Sequence, residues 1–227
     1  MKILFILSGG LDSATALYDL RREHEVVEAV TFDYAQRHRK EIACAVKICE
    51  TLNLPHRVID ISNLNELLQG SSLTSNSIDT PHGHYEEENM KQTIVPNRNA
   101  IFINVAAGYA ISKGVHGLGL GVHAGDHFIY PDCRPDFIEA QQKTLSLAND
   151  VDFRLHTPFL NVSKTGIVAR GNELKVPFEQ TWTCYEGGAR PCTKCGSCNE
   201  RIEAFMKNGL IDPLYSREEW EKLSAIV

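Results

Sequence analysis

Residues 2–7 form an apolar run that stops at Ser8-Gly9-Gly10. That is the pattern of a parallel strand buried on both faces and ended by a tight turn. Helical spacing begins at once, with Ala14, Leu17, Tyr18 and Arg21 one turn apart. Few folds accept a strand, a glycine turn and a helix in this order. The turn and the positive helix end converge on one point, where backbone amides can hold an anion.

The unit then repeats. Val26 to Phe32 predicts a strand, Ile42, Val46, Cys49 and Leu52 trace a helix face over about 38–54, and Arg57 to Ile61 predicts a third strand. The expected fold class is α/β, a Rossmann-like parallel sheet with helices on both faces. Between about Gly70 and Thr93 the chain turns polar before the pattern resumes, so residues 70–93 read as a mobile loop or lid. Ile101 to Ser112 is apolar almost all round and predicts a buried helix. Val115 to Val122 alternates glycine with leucine, as a strand does where something packs against its backbone. Helices are expected over about 135–149 and 163–172. Two regions follow: an anion-binding α/β domain over 1–180 and a cysteine-bearing segment over 181–227.

Four of the seven cysteines, Cys184, Cys192, Cys195 and Cys198, fall within fifteen residues. Two residues between cysteines let both thiolates reach one ion, and four thiolates complete the closed tetrahedron of a structural zinc. The proline-terminated fourth cysteine of a ferredoxin run is missing, with Ile202 four places after Cys198. Arg190, Lys194 and Arg201 are candidates to offset the negative charge. His82, His84, His123 and His127 could in principle form a second metal site, but the favoured reading is that they do not, and Cys49 reads as a small core residue. The net charge of -6 includes no basic stripe, which argues against gripping a nucleic-acid duplex. The opening apolar run is too short for a secretory signal, and no stretch reaches the roughly 20 apolar residues of a membrane helix. A cytoplasmic protein with a small-molecule partner, no nucleic acid and no membrane is expected.

The glycine turn is not a Walker loop, because no Gly-Lys-Ser/Thr follows at the required spacing, and it lacks the third glycine of a dinucleotide fingerprint. Ser8-Gly9-Gly10-Leu11-Asp12-Ser13 instead resembles the signature of the PP-loop ATP pyrophosphatases, which cleave ATP between its α and β phosphates. The resemblance implies that Leu7, Ser8, Gly9, Gly10, Leu11, Asp12 and Ser13 hold ATP as co-substrate. Asp12 becomes a magnesium ligand, and Asp12, Ser13 and Lys164 act in catalysis. Phe32, at the same sheet edge, is placed near the adenosine. Core packing is an equal reading of Phe32.

Four further segments narrow the resemblance. Residues 32–38 (Phe-Asp-Tyr-Ala-Gln-Arg-His), 95–99 (Val-Pro-Asn-Arg-Asn), 130–135 (Tyr-Pro-Asp-Cys-Arg-Pro) and 181–188 all look like the 7-cyano-7-deazaguanine synthase family of the queuosine pathway. The implied activity is an ATP-dependent ligase that joins 7-carboxy-7-deazaguanine and ammonia through an adenylate and an amide to the nitrile. The implied substrate contacts are Arg98, Asp126, Tyr130, Asp132 and Arg134, and a homodimer is the family expectation. From the residues alone, Asn97 and Asn99 are equally good caps for the following helix, and the acidic residues equally good solvated loop charges. Two other functions stay open, a tRNA-modifying PP-loop ligase or thiolase and an ATP-binding sensor with a zinc-ribbon tail.

Overall fold

The computed structural model describes residues 1–75, 77–84, 88–123 and 129–225. Five strands, β1 (Lys2–Ile6), β2 (Glu25–Asp33), β3 (His56–Asp60), β4 (Gly117–Leu120) and β5 (Arg154–His156), form one sheet in the order β3-β2-β1-β4-β5. Every pairing is parallel. The helices are α1 (Leu11–Leu20), α2 (Lys40–Thr51), α3 (Arg98–Ser112), α4 (Pro135–Asn149), α5 (Lys164–Glu173), α6 (Gly196–Lys207) and α7 (Arg217–Ser224). The Rossmann-like class is therefore observed.

β1 lies at the centre, and alternation along it divides the core. Ile3, Phe5 and Leu7 join α1, α2, α5, α6 and Trp220 of α7 on one face, whereas Leu4 joins Val30, Phe32, α3 and α4 on the other. The glycines of β4 make this packing fit. A Cβ on Gly117 would lie 2.7 Å from Ile3, and one on Gly119 would lie 2.6 Å from the Phe5 ring. The strand gives up its own side chains so that those of β1 can cross its surface.

Several boundaries and faces differ from expectation. The buried side of α2 is Ala45, Ile48 and Cys49, with Ile42 and Val46 only half-buried. α3 buries Ala100, Ile103, Ala106, Ala107 and Ala110 but leaves Val105 39% exposed, so its apolar outer face is not core. β5 has no counterpart in the sequence pattern, since its three residues hold a single aliphatic side chain. The 70–93 segment carries buried residues of its own, Ser71, Ser72, Leu73, Met90 and Thr93. Arg37 ties it down by donating to Ser75 O, Ile78 O and Thr80 Oγ1 at 2.7, 2.8 and 2.9 Å. Among the described residues, no helix is long and apolar enough to cross a membrane.

Candidate active site and metal centre

The strand order reverses between β1 and β4, and in open α/β sheets the crevice at that point is where ligands bind. The turn after β1 is shaped for it. Gly9 has φ +90°, and a Cβ there would lie 2.0 Å from Glu41 O, so neither backbone nor space admits a side chain. Ser13 Oγ accepts from Ser8 N–H at 3.2 Å and sits 2.8 Å from Ser8 Oγ, which accepts from Gly10 N–H at 3.1 Å. Gly10 stands at the N-cap of α1 with no side-chain cap, so the helix's positive end opens toward the crevice. Gly121, just past β4, brings that wall in: its Cβ would be 2.5 Å from Ser13 Cα.

A compact charge cluster faces the turn. Lys164 opens α5, whose Ser163 caps it by accepting from Gly166 N–H. Its Nζ lies 2.6 Å from Asp12 Oδ2 and 3.1 Å from Glu200 Oε2, and His123 Nε2 lies 3.5 Å from Asp12 Oδ2. Burial works against the ammonium, but Asp12 and Glu200 override it and hold Lys164 above its ordinary value. Burial likewise works against the Asp12 carboxylate, but Lys164 and His123 hold it below its ordinary value. Asp12 Oδ1 is buried without a hydrogen-bond partner among the described residues. Glu200 carries no local signal in the sequence; it reaches the site because α6 follows the cysteine cluster.

At the other end the cavity is aromatic. Phe32 stacks on Phe102 at 4.4 Å between centroids, and Tyr34, Tyr130 and Tyr185 surround Arg98. Burial disfavours the guanidinium, yet Tyr34 and Asp132 raise its pKa further, so Arg98 stays charged. Tyr130 OH is 2.7 Å from Thr93 Oγ1 and 3.3 Å from Tyr185 OH. Asn97 is left-handed at φ 59° and makes no side-chain cap. The cap comes instead from Asp132, whose Oδ2 accepts from Asn99 N–H at 2.9 Å. Burial pushes the Cys133 thiol up to about 12.

These ends belong to one cavity of about 240 Å³. Leu7, Ser8, Gly10, Leu11, Asp12 and Ser13 line it, as do Phe32, Arg98, Tyr130 and Lys164. Gly9 packs behind the turn, while Asp132 and the exposed Arg134 stand outside the lining. Asp126 and His127 lie outside the described residues.

Cys184, Cys192, Cys195 and Cys198 bring their sulfurs within 4.8 Å of one another, a group able to hold a metal ion. It is the only such group of three or more potential ligands among the described residues. Lys194 N–H and Cys195 N–H donate to Cys192 Sγ, which softens the sulfur charge as the spacing predicts. Two of the expected countercharges are committed elsewhere. Arg201 pairs with Asp212 at 2.6 Å, and Arg190 with Glu219 at 2.8 Å. His82 and His84 contact Glu186 and Glu203. The segment also closes the cavity: Trp182 N–H donates to Gly9 O at 3.0 Å, and Ser197 and Glu200 of α6 line the wall.

Fold and site together define an α/β enzyme whose strand–glycine–helix turn, without a Walker lysine, opens onto the cavity. Residues 2–209 match the model of a family described as Queuosine biosynthesis protein QueC, and the chain belongs to that family. Relatives named 7-cyano-7-deazaguanine synthase agree over nearly full length. That of Methanoregula boonei is 51% identical over 214 residues, covering 94% of this chain and 98% of the relative. That of Psychromonas ingrahamii is 49% identical, with coverage of 94% and 96%. That of Hahella chejuensis is 51% identical, with coverage of 92% and 90%.

Proposed function

We propose that this chain is an ATP-dependent carbon–nitrogen ligase that converts 7-carboxy-7-deazaguanine and ammonia to 7-cyano-7-deazaguanine. The observation that carries this reading is the single cavity joining the open end of α1 to an aromatic pocket bearing Arg98. Phosphates suit one end, and a flat ring carrying a carboxylate suits the other.

A carboxylate is a poor electrophile, and transfer of AMP to it creates a leaving group that ammonia can displace. The amide oxygen is then adenylated in turn, and loss of AMP gives the nitrile. The positive end of α1, the Ser8 and Ser13 hydroxyls and the Lys164 ammonium would act on charge developing on departing pyrophosphate. Leu7 and Phe32 border the adenosine, Arg98 and Tyr130 hold the deazaguanine carboxylate and ring, Asp132 and Arg134 form the outer rim, and Asp126 is a further substrate-binding candidate. Asp12 supplies catalysis through its orphaned Oδ1, an oxygen suited to Mg²⁺. The four cysteines fit a structural Zn²⁺: bonds of about 2.3 Å in a tetrahedron put sulfurs about 3.8 Å apart, and Cys192 and Cys198 are at 3.9 Å. A closed tetrathiolate ion would contribute stability rather than chemistry. The proposed working form is a cytoplasmic homodimer that binds no nucleic acid, with the 181–227 zinc segment packed on the 1–180 domain and the 70–93 segment as its lid.

Given ATP, magnesium and 7-carboxy-7-deazaguanine without ammonia, the protein is expected to exchange labelled pyrophosphate into ATP, and to stop when the carboxylate is omitted. Release of ADP with no exchange would overturn the adenylate route.

A further inference from the structure

The motif over residues 32–38 holds more than a substrate pocket needs. Phe32 and Tyr34 line the cavity, but so do His38 and Glu41, which have no role in the scheme above. His38 is 3% exposed, its Nε2 lies 3.4 Å from Glu41 Oε1, and its Nδ1 is buried without a hydrogen-bond partner among the described residues. Leaving a buried imidazole nitrogen unpaired costs free energy, so such an orphan calls for an occupant.

Glu41 is itself held in place. Gln36, 1% exposed, donates to Glu41 Oε1 and to Phe32 O, each at 3.2 Å, and accepts from Tyr34 N–H at 3.0 Å. The motif's glutamine thus fixes the carboxylate, and the carboxylate faces Nε2. A carboxylate there favours the tautomer protonated on Nε2, which leaves Nδ1 as an acceptor. The 3.4 Å separation is long for a hydrogen bond, as is common at catalytic pairs before substrate binds. Asp33 is spent on Arg39 and Ala35 N–H, and Arg37 on the 75–80 backbone.

The other bases lining the cavity are committed. Lys164 neutralises Asp12 and Glu200, and His123 lies against Asp12. Cys133 stays a thiol. Around His38 stand Glu41 of α2, Tyr34 at the end of β2 and Tyr185 beside the metal cysteines, the tyrosine rings at 6.5 and 5.4 Å.

We propose that His38, oriented by Glu41, is the proton acceptor for both carbon–nitrogen steps of the ligase reaction, an inference that rests on the function proposed above. In the first step the ammonia lone pair bonds to the carboxyl carbon of the adenylate. One N–H proton passes to His38 Nδ1, and the bond from that carbon to the AMP oxygen breaks, leaving the amide. In the second step, after His38 has returned its first proton to solvent, a second ATP adenylates the amide oxygen. The departing pyrophosphate takes one of the two amide N–H protons, which leaves the neutral imidate as the substrate. Its remaining N–H proton passes to His38, the freed electron pair makes the third carbon–nitrogen bond, and the carbon–oxygen bond to AMP breaks. Carbon keeps its oxidation level throughout, so no redox partner is required.

Adenylation of the carboxylate removes no proton from nitrogen, which separates the two roles. His38→Gln is expected to retain pyrophosphate exchange into ATP with 7-carboxy-7-deazaguanine, while formation of amide and nitrile falls by roughly 10²–10⁴-fold, the range of general-base catalysis. Glu41→Gln is expected to retain exchange and to show a smaller loss in the same steps, because Glu41 positions the ring and does not take the proton. An undiminished rate of nitrile formation in His38→Gln would overturn the proposal. So would a loss of exchange as deep as the loss of nitrile. Absence of exchange in the wild-type protein would instead overturn the underlying function, and this inference with it.

Discussion

Asp212→Ala tests how the C-terminal segment is held together. Asp212 is fully buried and Arg201 is 2% exposed, and Arg201 donates to the Asp212 carboxylate through Nε at 2.6 Å and Nη2 at 2.8 Å. Its remaining donors go to Thr181 Oγ1, Thr183 Oγ1 and Phe178 O, so one guanidinium organises both flanks of Trp182. A guanidinium cannot shed its proton at working pH. Removing its partner strands a buried charge, at a cost of about 3–5 kcal/mol. In a chain of this length each kcal/mol moves Tm by about 2–4 °C, so the expected fall is about 6–20 °C. Thermal melts of the metal-loaded protein, followed by circular dichroism, measure it directly. The double variant Arg201→Met, Asp212→Leu is expected to recover most of the loss, because replacing both ions leaves no charge unpaired. An Asp212→Ala protein melting within about 2 °C of wild type, or a double variant worse than either single one, would refute the reasoning.

Gly121→Ala is expected to abolish turnover with the sheet intact by far-ultraviolet dichroism, because its Cβ would press on the Ser13 backbone at 2.5 Å and shift the phosphate turn. Cys195→Ala is expected to lose bound zinc and lower Tm, since ion binding at such a site is folding energy; elemental analysis beside a melt checks both. Burial opposes the Glu28 carboxylate, but hydrogen bonds from Lys113 and Tyr109 hold it below its ordinary 4.5. A folded value below the unfolded one adds stability that is present above about pH 4.5 and lost as pH falls through the folded value. The gap in urea midpoint between wild type and Glu28→Gln should therefore close below that pH. Cys133 is expected to resist alkylation in the folded protein at neutral pH, its thiol standing at about 12; rapid labelling at that site would contradict it.

What the sequence made legible were features with a short period or a fixed spacing. The β1 run, the Gly9-Gly10 turn and the four cysteines each declare themselves within about fifteen residues, and each stands where the pattern put it. The glycines of β4 were also readable, since alternation with leucine demands a neighbour close to the backbone. What escaped was set by pairing across the fold. Asp132 caps α3 from 33 residues away, so Asn97 looked the better candidate. The resemblance marked Lys164 for catalysis, but its carboxylate partners were not readable, because only the fold brings Asp12 of α1 and Glu200 of α6 to it. Arg201 read as a countercharge for the sulfurs because Asp212, eleven residues on, carries no mark of being buried. The His38–Glu41 contact spans only three residues, yet nothing local says that both face a cavity.

The hydrogen bond from Trp182 to Gly9 has a consequence for the order of synthesis. All five strands have been made by His156, so a growing chain can assemble its sheet while the ribosome is still adding residues. The wall formed by Trp182, Ser197 and Glu200 emerges later, with the cysteines interspersed. A nascent chain therefore carries a formed glycine turn over an open trough. The wall over that trough is complete only once Glu200 has left the exit tunnel, by which point all four sulfurs are free to meet.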